Sequence, residues 1–322
     1  MAEVYRRYEK FAAVPIFAVG FLWDSLTLTR IDNPVDNILL VGYLALLGLM
    51  IVFTLRAQGG CMPPRWTRRL APHFPWAIQF CFGALFSSYV VYYFKSASFT
   101  RTQFFFLALV LLLVANEFLQ DRLENAALLA AFYSFCFLSF LAFFLPVLLA
   151  AVNEWIFLLA GLISLGASLG VFFLGFRHHP GGWERPMRRT ALWMGSVVGT
   201  VTVLYFANLI PPVPLALKNA GIYHRVSRTP EGYLVHYVAP PRWRFWVDGE
   251  SPFYLSPGDS VYCYTAVFAP GRLRVPVRHV WSRRTADGWV ETDPIAFDIR
   301  GGREGGYRGY TAKRNVTPGK WR

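Results

Sequence analysis

The segment Gly301-Gly302-Arg303-Glu304-Gly305-Gly306-Tyr307-Arg308-Gly309-Tyr310 has the residue types best suited to binding chemistry. Successive glycines reach positive φ and can turn several backbone N–H groups to one side, a cradle for an anion. Arg303 and Arg308 could grip a phosphate or carboxylate as a fork. Tyr307 and Tyr310 offer faces that stack on a sugar and hydroxyls suited to a lipid interface. The plainer alternative is a long Gly-rich hairpin whose tyrosines pack on their own domain. Trp243, Trp246, Trp281 and Trp289 are expected to divide between core and surface.

A second set of candidates lies in apolar segments, where ionisable side chains are costly and count as functional candidates by default. Asp24 stands near the end of the first apolar run, and Asn116 and Glu117 near the end of the fourth. Glu117 and Asp121 have i,i+4 spacing, which puts two acids on one helix face as a cation site or proton relay. The competing reading puts Asp24 at an interface beside Thr29 and Arg30, and the two acids at a solvated helix end. His178 and His179 are adjacent, and no Cys or His nearby completes a ligand set. No metal and no cofactor is expected. Cys61, Cys81, Cys136 and Cys263 contain no Cys-x-x-Cys pair, and Cys263 cannot form a disulfide within the C-terminal region. His-Glu-x-x-His, Gly-x-Ser-x-Gly and Walker patterns are missing, which removes support for an intramembrane protease, a hydrolase of that type and a P-loop ATPase. No acid–base pair is recognisable, so no catalytic residue is assigned.

The composition says what kind of element must carry these residues. Of 322 residues, 55% are hydrophobic, 17% aromatic and 16% charged. A soluble chain carries nearer ~25% charge. The apolar residues arrive in long runs with the charges between them, the pattern of a bilayer protein. Seven runs read as helices: 11–28, 38–55, 76–94, 102–119, 126–152, 155–176 and 190–209. The first follows basic residues but lacks a small-x-small cleavage site, so it is expected to remain as a helix. Asp32-Asn33-Pro34 and Asn153-Glu154 are tight links, which imply antiparallel hairpins. Net charge is +13. Twelve basic residues (Arg6, Arg7, Lys10, Arg56, Arg65, Arg68, Arg69, Arg122, Arg177, Arg185, Arg188, Arg189) fall on one side of a seven-span chain. Arg30, Lys95 and Arg101 fall on the other. The positive-inside rule then places the N-terminus in the cytoplasm and the C-terminal region outside. No basic module of a nucleic-acid-binding type is found, so no nucleic acid is expected.

From Lys218 the pattern changes to short β-branched and aromatic runs at 233–238, 260–268, 274–281, 288–291 and 295–299. Pro240-Pro241, Pro257-Gly258-Asp259, Pro270-Gly271, Asp287-Gly288 and Gly301-Gly302 separate them. The expected fold is an all-α transmembrane bundle over 1–213 and a small all-β, immunoglobulin-like sandwich over 214–322. Asp287-Gly288 is a two-residue hairpin signal. Lys320-Trp321-Arg322 reads as the start of a strand, so the domain is expected to be cut short there or to lack a closing strand.

The sixth run contains Gly166 and Gly170, and the seventh Gly195 and Gly199, both as Gly-x-x-x-Gly. Such spacing lets helix backbones approach closely. It serves packing inside the bundle or, more sharply, a homo-oligomer.

His279-x-Trp281, Asp287-Gly288-Trp289, Gly305-Gly306-Tyr307-Arg308-Gly309-Tyr310 and Pro318-Gly319-Lys320-Trp321-Arg322 resemble a group of bacterial proteins that join a multi-helix membrane region to a C-terminal domain of unknown function. The resemblance covers about the last 60 residues best. It implies a bacterial inner-membrane protein with a periplasmic domain, and a further strand after Trp321-Arg322. It supplies no catalytic residue and no substrate.

Three functions follow as expectations. The first is a membrane-anchored extracytoplasmic binding protein whose basic domain contacts an anionic lipid, a glycan or an envelope protein. From Lys218 to Arg322 there are 17 Lys or Arg against 9 Asp or Glu. The positive-inside rule acts on short loops and does not account for that excess. The second is a transporter or channel, which needs a polar path through the bundle. The third is a membrane enzyme on a lipid-linked substrate, which needs an acid–base pair.

Overall fold

The computed structural model describes residues 28, 33–60, 71–96, 107–113, 125–210, 215–230, 232–238, 253–256, 258–271, 273–303 and 305–322. The chain divides into two units, Met1–Pro214 and Leu215–Arg322.

In the first unit, α1 (Pro34–Gln58) starts where Asn33 caps it. The Asn33 side chain accepts a hydrogen bond from Val35 N at 3.1 Å, and Pro34 fits the first turn because no intrahelical N–H is needed there. A 3₁₀ turn, Ala71–His73, leads into α2 (Phe74–Ser96). Residues 107–113 are helical. Asn125 caps α3 (Ala126–Leu149), and Asn153 caps α4 (Glu154–Phe176) by accepting from Ile156 N at 2.9 Å. Between them the chain reverses through Ala150, at φ 50°. α5 spans Glu184–Phe206.

Five long α-helices are thus seen among the described residues, not about seven. Four are long and apolar enough to cross a membrane: Pro34–Gln58, Phe74–Tyr93, Ala126–Leu149 and Glu154–Phe176. Each has the ~20 residues that the hydrocarbon core demands. α5 is outside that set because its first turns carry Glu184, Arg185, Arg188 and Arg189, which leaves only 190–206 apolar within the helix. The run at 11–28 lies almost wholly outside the described residues, and of 102–119 only the helical stretch 107–113 is described.

α3 is central and packs against α1, α2, α4 and α5. Tyr89, Tyr92, Tyr93, Phe82, Phe86, Phe143 and Phe172 are fully buried in this core. Buried tyrosine hydroxyls need partners, and Tyr89 donates to Cys136 O at 2.8 Å. The glycines that permit close helix contact are not the expected ones. A Cβ at Gly175 would sit 2.7 Å from Leu55, and one at Gly48 2.8 Å from the Tyr133 hydroxyl. Gly166, Gly170, Gly195 and Gly199 are exposed and meet nothing within 4 Å. Among the described residues nothing packs against these glycines, so they do not draw the described helices together. At the C-terminal end of α1, Arg56 donates through Nε and Nη2 to Leu174 O of α4, both at 3.1 Å. The ends of α1 and α4 that precede the basic loops therefore lie together.

Among the described residues of the second unit all strand pairing is antiparallel. β1 (Ala216–Tyr223), β4 (Val261–Phe268) and β7 (Tyr307–Lys313) form one sheet in the order β1-β4-β7. β2 (Arg225–Thr229) and β3 (Gly232–His236) form a hairpin, as do β5 (Arg274–Thr285) and β6 (Gly288–Arg300). The turn between β5 and β6 is Ala286-Asp287, with Gly288 at φ 127° closing it. The runs at 288–291 and 295–299 join into one strand of 13 residues. It absorbs an irregularity opposite Trp281/Ser282, where the Thr292 hydroxyl donates to Trp281 O at 3.0 Å. Trp281 is buried and Trp289 partly exposed. Ser282 and Arg322 exchange backbone hydrogen bonds of 2.9 Å, so 320–322 run antiparallel beside β5.

Candidate ligand-binding loop and tyrosine face

The Gly-rich segment 301–306 is not a hairpin. β6 pairs with β5, and β7 pairs with β4, so the segment crosses from one sheet to the other. It lies against the other crossover, 269–273. Gly301 N donates to Leu273 O at 2.8 Å, and Gly302 N to Ala269 O at 3.0 Å. A Cβ at Gly301 would come within 2.5 Å of Pro270 O. Gly306, at φ +80°, passes so close to β4 that a Cβ would meet Val267 C at 3.0 Å. Glycine is thus required here by close backbone approach. Gly306 N donates to Arg303 O at 3.0 Å. The N–H groups of Gly301, Gly302 and Gly306 are therefore engaged within the protein and do not face an anion.

Arg303 and Arg308 have separate surroundings. Arg303 lies over the Tyr307 ring, 5.4 Å from its centroid, a cation–π contact. Successive strand residues point to opposite faces, so Arg308 leaves β7 on the side away from Tyr307. There it flanks a cluster of tyrosines. Tyr233 is 5.7 Å from Tyr264 and 6.1 Å from Tyr310, and Tyr262 is 6.0 Å from Tyr310. The Tyr233 hydroxyl donates to Arg308 O at 3.3 Å. Burial raises the Tyr264 pKa, and the Arg308 guanidinium draws it partly back. Arg303, Arg308 and Tyr310 are exposed and Tyr307 is half-buried. What the structure assembles is an Arg308–tyrosine face built by β3, β4 and β7, with an Arg303–Tyr307 pair on the other side of the same strand.

Between the sheets, His279 of β5 reaches both β4 and β7. Its Nε2 is 2.8 Å from the Thr265 hydroxyl, and its Nδ1 is 2.9 Å from that of Thr311. Phe297 packs edge-on against the ring at 4.8 Å. Burial lowers the His279 pKa. Three polar side chains thus join β5 to β4 and β7; Val267 of β4, Trp281 of β5 and Ile299 of β6 are buried as well. At the edge, Lys313 bonds Asp293 and holds its carboxyl below the usual carboxylate range. Burial pushes the Cys263 thiol up to about 11, which makes it a poor nucleophile.

Asp24, Asn116 and Glu117 lie outside the described residues. Asp36 is a buried acid that sequence reasoning passed over: the Tyr92 hydroxyl donates to its Oδ2 at 3.4 Å. Its position in the first turn after Asn33-Pro34 reads as helix-start composition, which hid it. A cavity of about 20 Å³ beside Tyr93, Asn153 and Tyr205 has room for one water. Among the described residues no three His, Cys, Asp or Glu come together as metal ligands. No family model, curated protein or solved structure matches this chain.

Proposed function

We propose that the protein is a membrane-anchored binding protein of the bacterial inner membrane, whose extracytoplasmic, immunoglobulin-like β-domain takes an anionic lipid, glycan or envelope-protein partner. The observation that carries this reading is the Arg308–tyrosine face: Tyr310 is 41% exposed beside an exposed guanidinium. Tyrosine with arginine is the pairing that dominates recognition surfaces, because a rigid amphipathic ring is combined with a forked donor. Lys313–Asp293 is an ion pair within the domain, and the sequence from Lys218 to Arg322 carries 17 Lys or Arg against 9 Asp or Glu, so positive charge is left over for a partner. Antiparallel strands in a three-stranded sheet and two two-stranded ribbons, with β5 held to β4 and β7 through His279, support the immunoglobulin-like assignment. The Arg56–Leu174 contact brings the C-terminal ends of α1 and α4 together, and in the sequence both ends lead into basic segments, which supports an inner, cytoplasmic end there. The exposed Gly166/Gly170 and Gly195/Gly199 faces suit a second copy of the chain.

The test uses the full chain in neutral-lipid nanodiscs, titrated with anionic liposomes, soluble cell-wall glycans or envelope extracts. Arg303→Ala together with Arg308→Ala should weaken binding by about tenfold or more, at ~1 kcal/mol per arginine near an anionic surface. Unchanged binding to every probe would overturn the reading.

A further inference from the structure

The face of the β5–β6 ribbon turned away from His279 carries charges that the domain itself leaves unbalanced. Arg274 stands directly opposite Arg300 in the ladder, and both are exposed. Like charges directly across a ladder destabilise it, so this pair costs the fold something. Strand alternation puts Arg278 on the same face, about 13 Å along β5 from Arg274. Over 274–280 and 294–300 the one acid of this face is Asp298, opposite Pro276; Glu291, opposite Ser282, follows beyond the irregularity. Pro276, Val280, Pro294 and Ala296 fill the rest and are short or apolar. Among the described residues none of the three arginines has an acidic partner.

One anionic surface is always within reach. Tyr205 of α5 stacks on Phe157 of α4 with ring centroids 3.8 Å apart, so α5 ends beside the start of a membrane-length helix. From Phe206 to Ala216 there are only nine intervening residues, 207–215. Fully extended they reach about 30 Å. The linker length sets an upper bound on how far the β-domain can stray from the end of α5, at any concentration of other partners. A ribbon with forked donors rising above short apolar residues matches a layer of phosphate groups.

We infer that the Arg274–Arg278–Arg300 face docks on the anionic phospholipid headgroups of the bilayer that holds the helices. This rests on the membrane-anchored reading but not on Arg303 or Arg308. Three arginines near such a surface favour the docked state by roughly 100-fold. High salt opposes it, because the Debye length falls to about 3 Å at 1 M.

The full chain is reconstituted in nanodiscs of phosphatidylcholine alone or with phosphatidylglycerol, and arginine modification by phenylglyoxal is followed residue by residue with mass spectrometry. Arg274, Arg278 and Arg300 should react at least tenfold and up to about 100-fold more slowly in the anionic discs, and 1 M salt should abolish the difference. The Arg303→Gln, Arg308→Gln double variant should show the same protection. Equal rates in both discs would overturn the inference. So would equal protection in neutral discs by glycerol phosphate alone, which would identify a phosphate-ion site, or loss of the effect in the double variant. Failure of ligand binding at Arg303 and Arg308 leaves this readout unchanged, so the two readings fall separately.

Discussion

Replacing His279 by alanine tests the joint between β5 and the β4–β7 pair. The imidazole is held by two hydroxyls, Thr265 at 2.8 Å and Thr311 at 2.9 Å, and both threonines are buried. The alanine variant leaves both hydroxyls without that partner, at about 1–3 kcal/mol each. It also opens a void beside Phe297, though water entering the void recovers part of the loss. A net cost of about 3 kcal/mol corresponds to roughly 150-fold faster opening. Hydrogen exchange on the full chain in micelles reads this locally in β4, β5 and β7 peptides, while α3 serves as the internal reference. Acceleration below about fivefold would refute the assignment of His279 as the joint. Changing all three residues together (Thr265→Val, His279→Phe, Thr311→Val) should cost less than His279→Ala, because no orphaned hydroxyl remains. The pH dependence has a definite sign. The folded-state pKa of His279 lies below its ordinary value of 6.5. The unfolded state therefore binds the proton first, and the contribution is complete above pH ~6.5 and declines as pH falls toward the folded pKa. After correction for intrinsic exchange rates, β4 and β7 protection should drop between pH 7.5 and 5.5 in the wild type. His279→Phe should remove that component.

Gly301→Ala should destabilise the β-domain by about 2 kcal/mol or more, because its Cβ meets fixed carbonyl oxygens rather than a movable side chain; loss of the domain's sharp thermal transition checks it. Lys313→Met should raise the Asp293 pKa, visible in an NMR carboxyl titration, since Lys313 is the first cause of its depression. Gly166→Ala with Gly170→Ala should leave the unfolding temperature unchanged, as both positions have open space; a change in cross-linking between copies would show that a second chain covers that face.

The links at Asn33-Pro34 and Asn153-Glu154 were legible because they are short-range chemistry, and there, as at Asn125, which was not singled out, a side-chain acceptor stands where a helix begins. The strands at 233–238, 260–268 and 274–281 were visible in their apolar alternation, to within a few residues. β1 was hidden by Lys218, Asn219 and Gly221, which weaken a strand pattern read without its partner. β7 was not among the runs read as strands, because its Gly309 reads as a turn residue, whereas it is small to admit Phe297, whose ring a Cβ would meet at 2.8 Å. The Gly-rich segment was correctly singled out as unusual, yet its glycines answer to the carbonyls of 269–273, a contact with no local signature. The same holds for Gly48 and Gly175. Isolated glycines make the tight helix crossings, while the patterned pairs face outward.

The Arg56–Leu174 contact also bears on the order of assembly during synthesis. Its partners are 118 residues apart in the chain. At about 5–20 residues per second, ~6–24 s separate the translation of one from the other. For that interval the face of α1 that later meets Gly175 and Val171 lacks its α4 partner, and Arg56 lacks the Leu174 carbonyl. The α3–α4 hairpin, joined by a turn of a few residues, has no such wait. The bundle therefore closes late, when α4 arrives to meet a helix that has already been resident for many seconds.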